Sequence, residues 1–71
     1  MNKSDVLKKI AKNIQIARKS KGYTQESFAE KMNVSWSYIS KLETGTQNLS
    51  IGKILEISNC LDVDINELLE I

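Results

Sequence analysis

The segment from residue 36 to residue 44 carries the side chains best suited to binding a partner. If it is a helix, with about 100° between successive residues, its polar face holds Trp36, Ser37, Ser40, Lys41 and Thr44. Lysine donates hydrogen bonds, serine donates and accepts them, and an indole offers apolar surface and one N–H. Plain solvation would explain such a face, but an exposed tryptophan forgoes a large burial. We therefore interpret the face as one that fits a nucleic-acid groove.

Residues that could support catalysis or bind a metal ion are few. The sequence has no histidine, a single cysteine (Cys60) and no glycine-rich phosphate loop. Without a histidine base, Cys60 is expected to fill space beside the core rather than to act as a nucleophile. The acidic residues near the C-terminal end lack the spacing of a calcium-binding loop; they are Asp62, Asp64, Glu67 and Glu70. We expect no enzyme activity, no cofactor and no metal.

The net charge of +1 conceals a strong asymmetry along the chain. Residues 1–41 carry nine Lys or Arg and three Asp or Glu, a net charge of +6. Residues 42–71 carry one Lys and six Asp or Glu, a net charge of −5. Such a dipolar molecule can present a basic face to a polyanion, although solvated surface lysines would give the same totals.

Length and composition predict one small folded unit. Seventy-one residues are enough for a single domain, which we expect to span residues 1–71. Apolar residues make up 41% of the chain and charged residues 27%, an ordinary balance for a globular protein. No apolar run is long enough for a transmembrane helix or a signal peptide. A lone cysteine excludes an internal disulfide, so a cytoplasmic protein without a membrane partner is expected.

Apolar residues recur with the period of an α-helix, and no segment alternates as a β-strand does. Short polar residues that can cap a helix precede five such stretches: Ser4, Thr24, Ser35, Ser50 and Asp64. Gly22, Asn33 and Gly45 follow three of them and suit the left-handed conformation that ends a helix. The fold is therefore predicted to be all-α, with five helices and short connections.

The second and third helices form a predicted helix-turn-helix at residues 24–44. Small Ala29 allows the helices to cross closely, and Val34 is expected to tuck the turn into the core. The stretch RKSKGYTQESFAEKMNVSWSYISKLETG, Arg18 to Gly45, resembles the Cro/C1-type (XRE) helix-turn-helix family. The resemblance continues from Leu49 to Leu69 and implies a compact, lambda-repressor-like domain. It also implies a transcriptional regulator that binds double-stranded DNA.

In this family the second helix of the motif lies in the major groove. The resemblance therefore implies that the recognition helix is 36–44, and that Trp36, Ser37 and Lys41 contact base edges, with Ser40 close by. It also implies that Gln25 binds a phosphate, and the helix cap Thr24 is expected to contact phosphate beside it. Three further residues are expected to face the second backbone strand: Thr44, Thr46 and Asn48. Tyr38 is expected either to reach a phosphate or to pack, and three lysines to add weaker contacts: Lys19, Lys21 and Lys31.

The resemblance assigns Arg18 and Glu43 a structural role. The matching family residues form a partly buried ion pair that joins the first helix to the end of the recognition helix. An arginine–carboxylate pair can be bidentate and fixes geometry. We expect both residues to be structural rather than catalytic.

The last segment, residues 62–71, has more apolar residues than a short terminal helix needs. One monomer covers only a half-site, so a two-fold dimer on a pseudo-palindromic operator is expected. The predicted homodimer contacts are Val63, Ile65, Leu68, Leu69 and Ile71. The alternative is that these residues close the monomer core. The alternative function is a protein–protein interaction module without specific DNA binding.

Overall fold

A computed structural model describes all 71 residues, and it is built entirely of helices and loops. In chain order the helices are α1 (Lys3–Ser20), α2 (Gln25–Met32), α3 (Trp36–Thr44), α4 (Ile51–Leu61) and α5 (Ile65–Leu69). The predicted all-α, five-helix architecture is confirmed. The terminal helix covers only the middle of the predicted segment 62–71, because Asp62 ends α4 and Asp64 caps α5.

The N-terminal caps follow from local sequence, with one correction. Thr24, Ser35 and Ser50 each accept a backbone N–H three residues ahead, and Asp64 accepts the N–H of Asn66. The prediction that Ser4 caps α1 is wrong. The side chain of Asn2 accepts the N–H of Asp5 instead, at 2.9 Å, so α1 begins before Ser4 and includes it.

The connection from α2 to α3 is a tight turn with a left-handed residue. Asn33 has φ 58° and ψ 44°, a conformation that asparagine tolerates better than most residues. Its backbone N–H and that of Val34 bond back to carbonyls of α2, at 3.1 and 3.0 Å. The turn therefore fixes the direction in which α3 leaves α2.

One apolar core joins all five helices. It contains Ile10, Ile14 and Ala17 of α1, Phe28 and Ala29 of α2, Ile39 and Leu42 of α3, Ile54, Ile57 and Leu61 of α4, and Leu68 of α5. The long helix α1 packs against α3, α4 and α5, and so holds both ends of the chain together. None of the five helices combines the length and the apolar composition that a membrane-spanning helix needs.

The backbone of α1 runs directly against the end of α3. Gly45 ends α3 with φ 79°. A Cβ atom at Gly45 would lie 2.8 Å from Cα of Lys8, closer than real Cβ contacts come. Glycine is therefore required here by the backbone angle and also by the close approach of the two segments.

Alanine at Gly45 should destabilise the fold more than alanine at Gly22. Both glycines have positive φ, 79° and 84°, so both substitutions carry a strain of about 1–2 kcal/mol. Only at Gly45 would the new methyl group meet a neighbouring backbone, because nothing lies within 4 Å of a Cβ at Gly22. Urea unfolding of Gly45→Ala and Gly22→Ala measures the difference. Equal losses would show that α1 moves away from the turn without cost.

Candidate nucleic-acid interface

Helix α3 presents a polar face to solvent and buries the opposite face. Ile39 and Leu42 are in the core. The side chains of Trp36, Ser37, Ser40 and Lys41 are exposed, and these residues lie on the opposite side of the helix. Because the core holds the apolar face, the rotation of α3 about its own axis is fixed. The four predicted base-contacting side chains therefore form one accessible strip.

Trp36 is held in place by α2. It is 56% exposed, yet its indole Nε1 donates a hydrogen bond to Oε1 of Gln25 at 3.0 Å. An indole has only this one donor. With the N–H occupied within the chain, Trp36 has only its apolar ring left to offer a partner.

The amide nitrogen of Gln25 connects Trp36 to a buried ion pair. Its amide Nε2 donates to Oε1 of Glu43 at 3.0 Å. The guanidinium of Arg18 donates to the same carboxylate twice, from Nε to Oε2 at 2.6 Å and from Nη2 to Oε1 at 3.0 Å. A continuous hydrogen-bonded chain thus runs from the exposed indole through Gln25 and Glu43 to α1.

The ion pair is nearly dry, and its polar atoms are satisfied. The side chains of Arg18 and Glu43 are 6% and 3% exposed. Nη1 of Arg18 donates to the backbone carbonyl of Tyr23 at 2.7 Å, and no buried side-chain polar atom in the protein lacks a partner. Because both charges are desolvated, the net stabilisation from the pair is small, whereas the loss of either partner would be costly.

The residues predicted to contact phosphate divide into two groups. At the start of α2, the hydroxyl of Thr24 accepts the N–H of Ser27 within a capping box, and the amide of Gln25 is bonded to Glu43 and Trp36. Neither side chain is free in this structure. The first backbone N–H groups of α2 remain without a helical acceptor, and helix N-termini attract anions.

The second group lies at and after the end of α3. Thr44 and Thr46 are exposed, and their hydroxyl oxygens are 2.8 Å apart. Thr44 also donates to the carbonyl of Lys41 at 2.6 Å, so the turn is internally bonded, and Asn48 is exposed beyond it. Tyr38 is half-buried against the core, with the ammonium of Lys53 5.9 Å from its ring centre.

Three lysines were expected to add weaker contacts, and all three are exposed: Lys19, Lys21 and Lys31. The ammonium of Lys31 lies 5.5 Å from the ring centre of Tyr23. The proximity of the Tyr23 phenol raises the pKa of Lys31 above its usual value.

Cys60 and the acidic residues form no recognisable catalytic or metal site. The Cys60 thiol is half-buried, and burial raises its pKa, so it is a poorer nucleophile than a free thiol. No three Cys, Asp or Glu residues converge to hold a metal ion.

The predicted dimer contacts need one correction. Leu68 is fully buried in the core of the monomer, so it is not available to a partner. The side chains of Val63, Ile65 and Leu69 are half-buried against the core, and Ile71 is exposed. The prediction failed for Leu68 because the short helix α5 must use an apolar residue to close the core over α1 and α4.

Two exposed apolar residues on α4 were missed as candidates for a partner contact. Ile51 is 64% exposed and Leu55 is 46% exposed, and they lie one turn apart. The sequence places both in the apolar stripe of α4 with Ile54 and Ile57. The width of that apolar stripe could have indicated exposed residues, because the core of the domain can cover only part of so wide a stripe.

The arrangement matches a known family along most of its length. A family model described as helix-turn-helix (HTH_3) matches residues 14–68, from the middle of α1 through most of α5. This chain belongs to the Cro/C1-type helix-turn-helix family. The HTH-type transcriptional regulator SinR from Bacillus subtilis is 40% identical over 62 residues, which cover 86% of this chain and 56% of SinR. The chain thus spans about half the length of the SinR proteins it matches.

Solved structures of Cro/C1-type proteins share the fold. The restriction-modification controller protein C.AhdI from Aeromonas hydrophila superposes with a TM-score of 0.85 at 29% identity, covering 96% of this chain and 99% of C.AhdI. SinR in complex with DNA superposes with a TM-score of 0.75 at 40% identity, covering 86% of this chain and 98% of that SinR chain. SinR is named as a transcriptional regulator and C.AhdI as a controller protein, which fits the expected non-enzyme role.

Removing the carboxylate of Glu43 should strongly destabilise the domain. Glu43→Ala leaves the buried guanidinium of Arg18 without a counter-charge, at an expected cost of about 3–5 kcal/mol. Glu56→Ala is the control, because Glu56 forms an exposed ion pair with Lys53 whose loss should change stability little. Urea unfolding followed by far-UV circular dichroism compares the two. Similar small losses in both variants would mean that water replaces the Glu43 carboxylate.

Proposed function

We propose that this Cro/C1-type domain is a sequence-specific transcriptional regulator that binds double-stranded DNA with α3 in the major groove. The observation that carries the proposal is the exposed strip of Trp36, Ser37, Ser40 and Lys41, held outward by the buried Ile39 and Leu42. A major groove admits one α-helix, and its base edges offer donors, acceptors and thymine methyl groups. The strip contains side chains that can donate hydrogen bonds, accept them and make apolar contacts with methyl groups.

The proposed base contacts follow from the chemistry of each side chain. Lys41 donates to O6 and N7 of guanine, while the hydroxyls of Ser37 and Ser40 can donate or accept. The ring of Trp36 contacts thymine methyl or deoxyribose, since its N–H is bonded to Gln25. Recognition by Trp36 is therefore proposed to be apolar rather than hydrogen-bonded.

The proposed phosphate contacts flank the recognition helix on both sides. The N-terminus of α2, with Thr24 and Gln25, faces one backbone strand, and Thr44, Thr46 and Asn48 face the other. Tyr38 can add its hydroxyl from the flank of α3. Phosphate contacts of this kind set the register of the helix in the groove and carry no sequence information directly.

The charge distribution supports this orientation. The residues up to Lys41, which include α2 and all four residues of the strip, carry a net charge of +6, whereas the residues from Leu42 onward carry −5. A polyanion is therefore attracted to the first part of the chain and repelled by the second. The exposed acidic residues of the second part, from Glu56 to Glu70, face solvent or a partner protein in this proposal.

We also propose a homodimer on a pseudo-palindromic operator. A single α3 reads only a few base pairs, and two-fold symmetry doubles the site. The proposed contact surface combines exposed Ile51 and Leu55 of α4 with Val63, Ile65, Leu69 and Ile71 at the α5 end of the chain. Apolar side chains left exposed at a surface are typical of such contacts.

Selection of binding sites from a pool of random duplex DNA, followed by a salt titration on the enriched duplex, tests the function. An enriched palindrome whose affinity falls steeply as salt rises is the expected result. If no sequence is enriched and binding is weak even at low salt, the DNA-binding proposal fails. The exposed ring of Trp36 would then indicate a protein partner, in line with the alternative function.

Lys41→Ala should relax specificity at one base pair. The loss of one donor to a base edge should cost about 1–3 kcal/mol on the selected duplex and much less on a duplex changed at that pair. Lys12→Ala on α1 is the control and should leave both affinities unchanged. If Lys41→Ala weakened binding equally on every sequence, Lys41 would contact phosphate instead.

Leu55→Asp should give a folded monomer. The aspartate would put two carboxylates into the proposed two-fold contact without disturbing the core, because Leu55 is exposed. Met1→Asp is the control, since Met1 is an exposed apolar residue that is not part of the proposed contact surface. Sedimentation equilibrium should show that only Leu55→Asp weakens self-association. Dimers of equal strength in both variants would place the contact elsewhere.

A further inference from the structure

A groove separates the start of α1 from the turn that follows α3. Its volume is about 460 Å³. One wall is formed by the first two turns of α1, and the other by the loop after α3; the lining residues are Lys3, Ser4, Leu7, Lys8, Gly45, Thr46 and Asn48. The groove therefore adjoins the loop proposed to face a DNA strand.

The groove is electropositive. Lys3 and Lys8 line it, and no acidic residue does. Neither lysine forms an ion pair; the two ion pairs of the protein are Arg18–Glu43 and Lys53–Glu56. Asp5 lies in the same turn of α1 but does not line the groove. Two lysines that form no ion pair thus line one concave surface together with the polar side chains of Thr46 and Asn48.

The two walls are held at a fixed separation. The missing Cβ of Gly45 allows Cα of Lys8 to lie against the end of α3. On the loop side, the hydroxyl of Thr46 is bonded to that of Thr44, which in turn bonds to the carbonyl of Lys41. The backbone that carries Lys8 is therefore coupled to the recognition helix by direct contact rather than by a flexible arm.

We propose that this groove binds a phosphate of the DNA backbone, with Lys3 and Lys8 as its cationic wall and the side-chain amide of Asn48 as a hydrogen-bond donor. The assignment rests on the proposed function, because α3 must lie in the major groove for the loop to face a strand. It extends the DNA-binding surface from the helix-turn-helix onto the start of α1. A phosphate held there would fix the depth and tilt of α3.

Two double variants that remove equal charge from α1 test the assignment. Lys3→Ala/Lys8→Ala empties the groove of charge, while Lys9→Ala/Lys12→Ala removes two exposed lysines that do not line it. The probe is the duplex enriched in the selection described above. Each lost phosphate contact reduces the slope of log affinity against log salt by about 0.9. We expect the slope of the groove variant to fall by about one to two times this amount and the slope of the control variant to stay unchanged.

Ethylation interference on the same duplex locates the contact. The parent protein should be blocked by ethylation of a phosphate flanking the recognised bases, and the groove variant should be insensitive at that position only. Lys3→Arg/Lys8→Arg, which keeps both charges, should restore the parent slope. Denaturation curves on all variants establish that each is folded.

Several results would overturn the assignment. An unchanged slope in the groove variant would mean that the lysines face solvent. Equal reductions in both double variants would mean that only the overall field of α1 matters. In either case the unmodified protein still binds DNA and the proposed function stands. If the unmodified protein binds no duplex, the proposed function and the groove assignment both fail.

Discussion

The buried ion pair between Arg18 and Glu43 is the constraint on which the rest of the molecule depends. It joins the last part of α1 to the last part of α3 across 25 residues of sequence, with two hydrogen bonds between the charged groups. Because both partners are desolvated, the pair tolerates little change in distance or angle. The position of α3 relative to α1 is therefore set by electrostatics as well as by the apolar core.

Gln25 extends this constraint to the surface. Its amide group joins the carboxylate of Glu43 to the indole of Trp36, so α1, α2 and α3 meet in one hydrogen-bonded network. Networks of this kind are rigid when every member is satisfied. An exposed tryptophan at the first turn of a helix would otherwise move freely among its rotamers. The structure thus gives the exposed strip of α3 a defined shape before any partner arrives.

The sequence predicts the helices well because their ends are decided locally. Thr24, Ser35, Ser50 and Asp64 cap helices that begin one residue later, and Gly45 and Asn33 adopt the expected left-handed conformation. Local competition also explains the one error in capping. Asn2 and Ser4 are both competent caps, and the earlier one gives α1 additional hydrogen bonds.

Tertiary relations were harder to predict. Helical periodicity groups the apolar residues of α4 and α5 but does not show which of them the core covers. Leu68 proves to be buried, while Ile51 and Leu55 are left in solvent. The bonds of Gln25 span 18 and 11 residues and leave no trace in hydrophobic periodicity. The resemblance to a family supplied the pairing of Arg18 with Glu43, which spacing alone could not.

The orientation of the Gln25 amide has a consequence for how this surface can diverge. A carboxylate accepts hydrogen bonds only, so Glu43 obliges Gln25 to turn its nitrogen inward and its oxygen toward residue 36. Whatever side chain occupies position 36 therefore inherits a fixed acceptor. A residue that replaces tryptophan keeps this bond only if it has an N–H or O–H donor that reaches Oε1 of Gln25, whereas an acidic residue would set two acceptors against each other. The buried ion pair in the interior of the domain thus restricts which side chains can be held in place at position 36 on its surface.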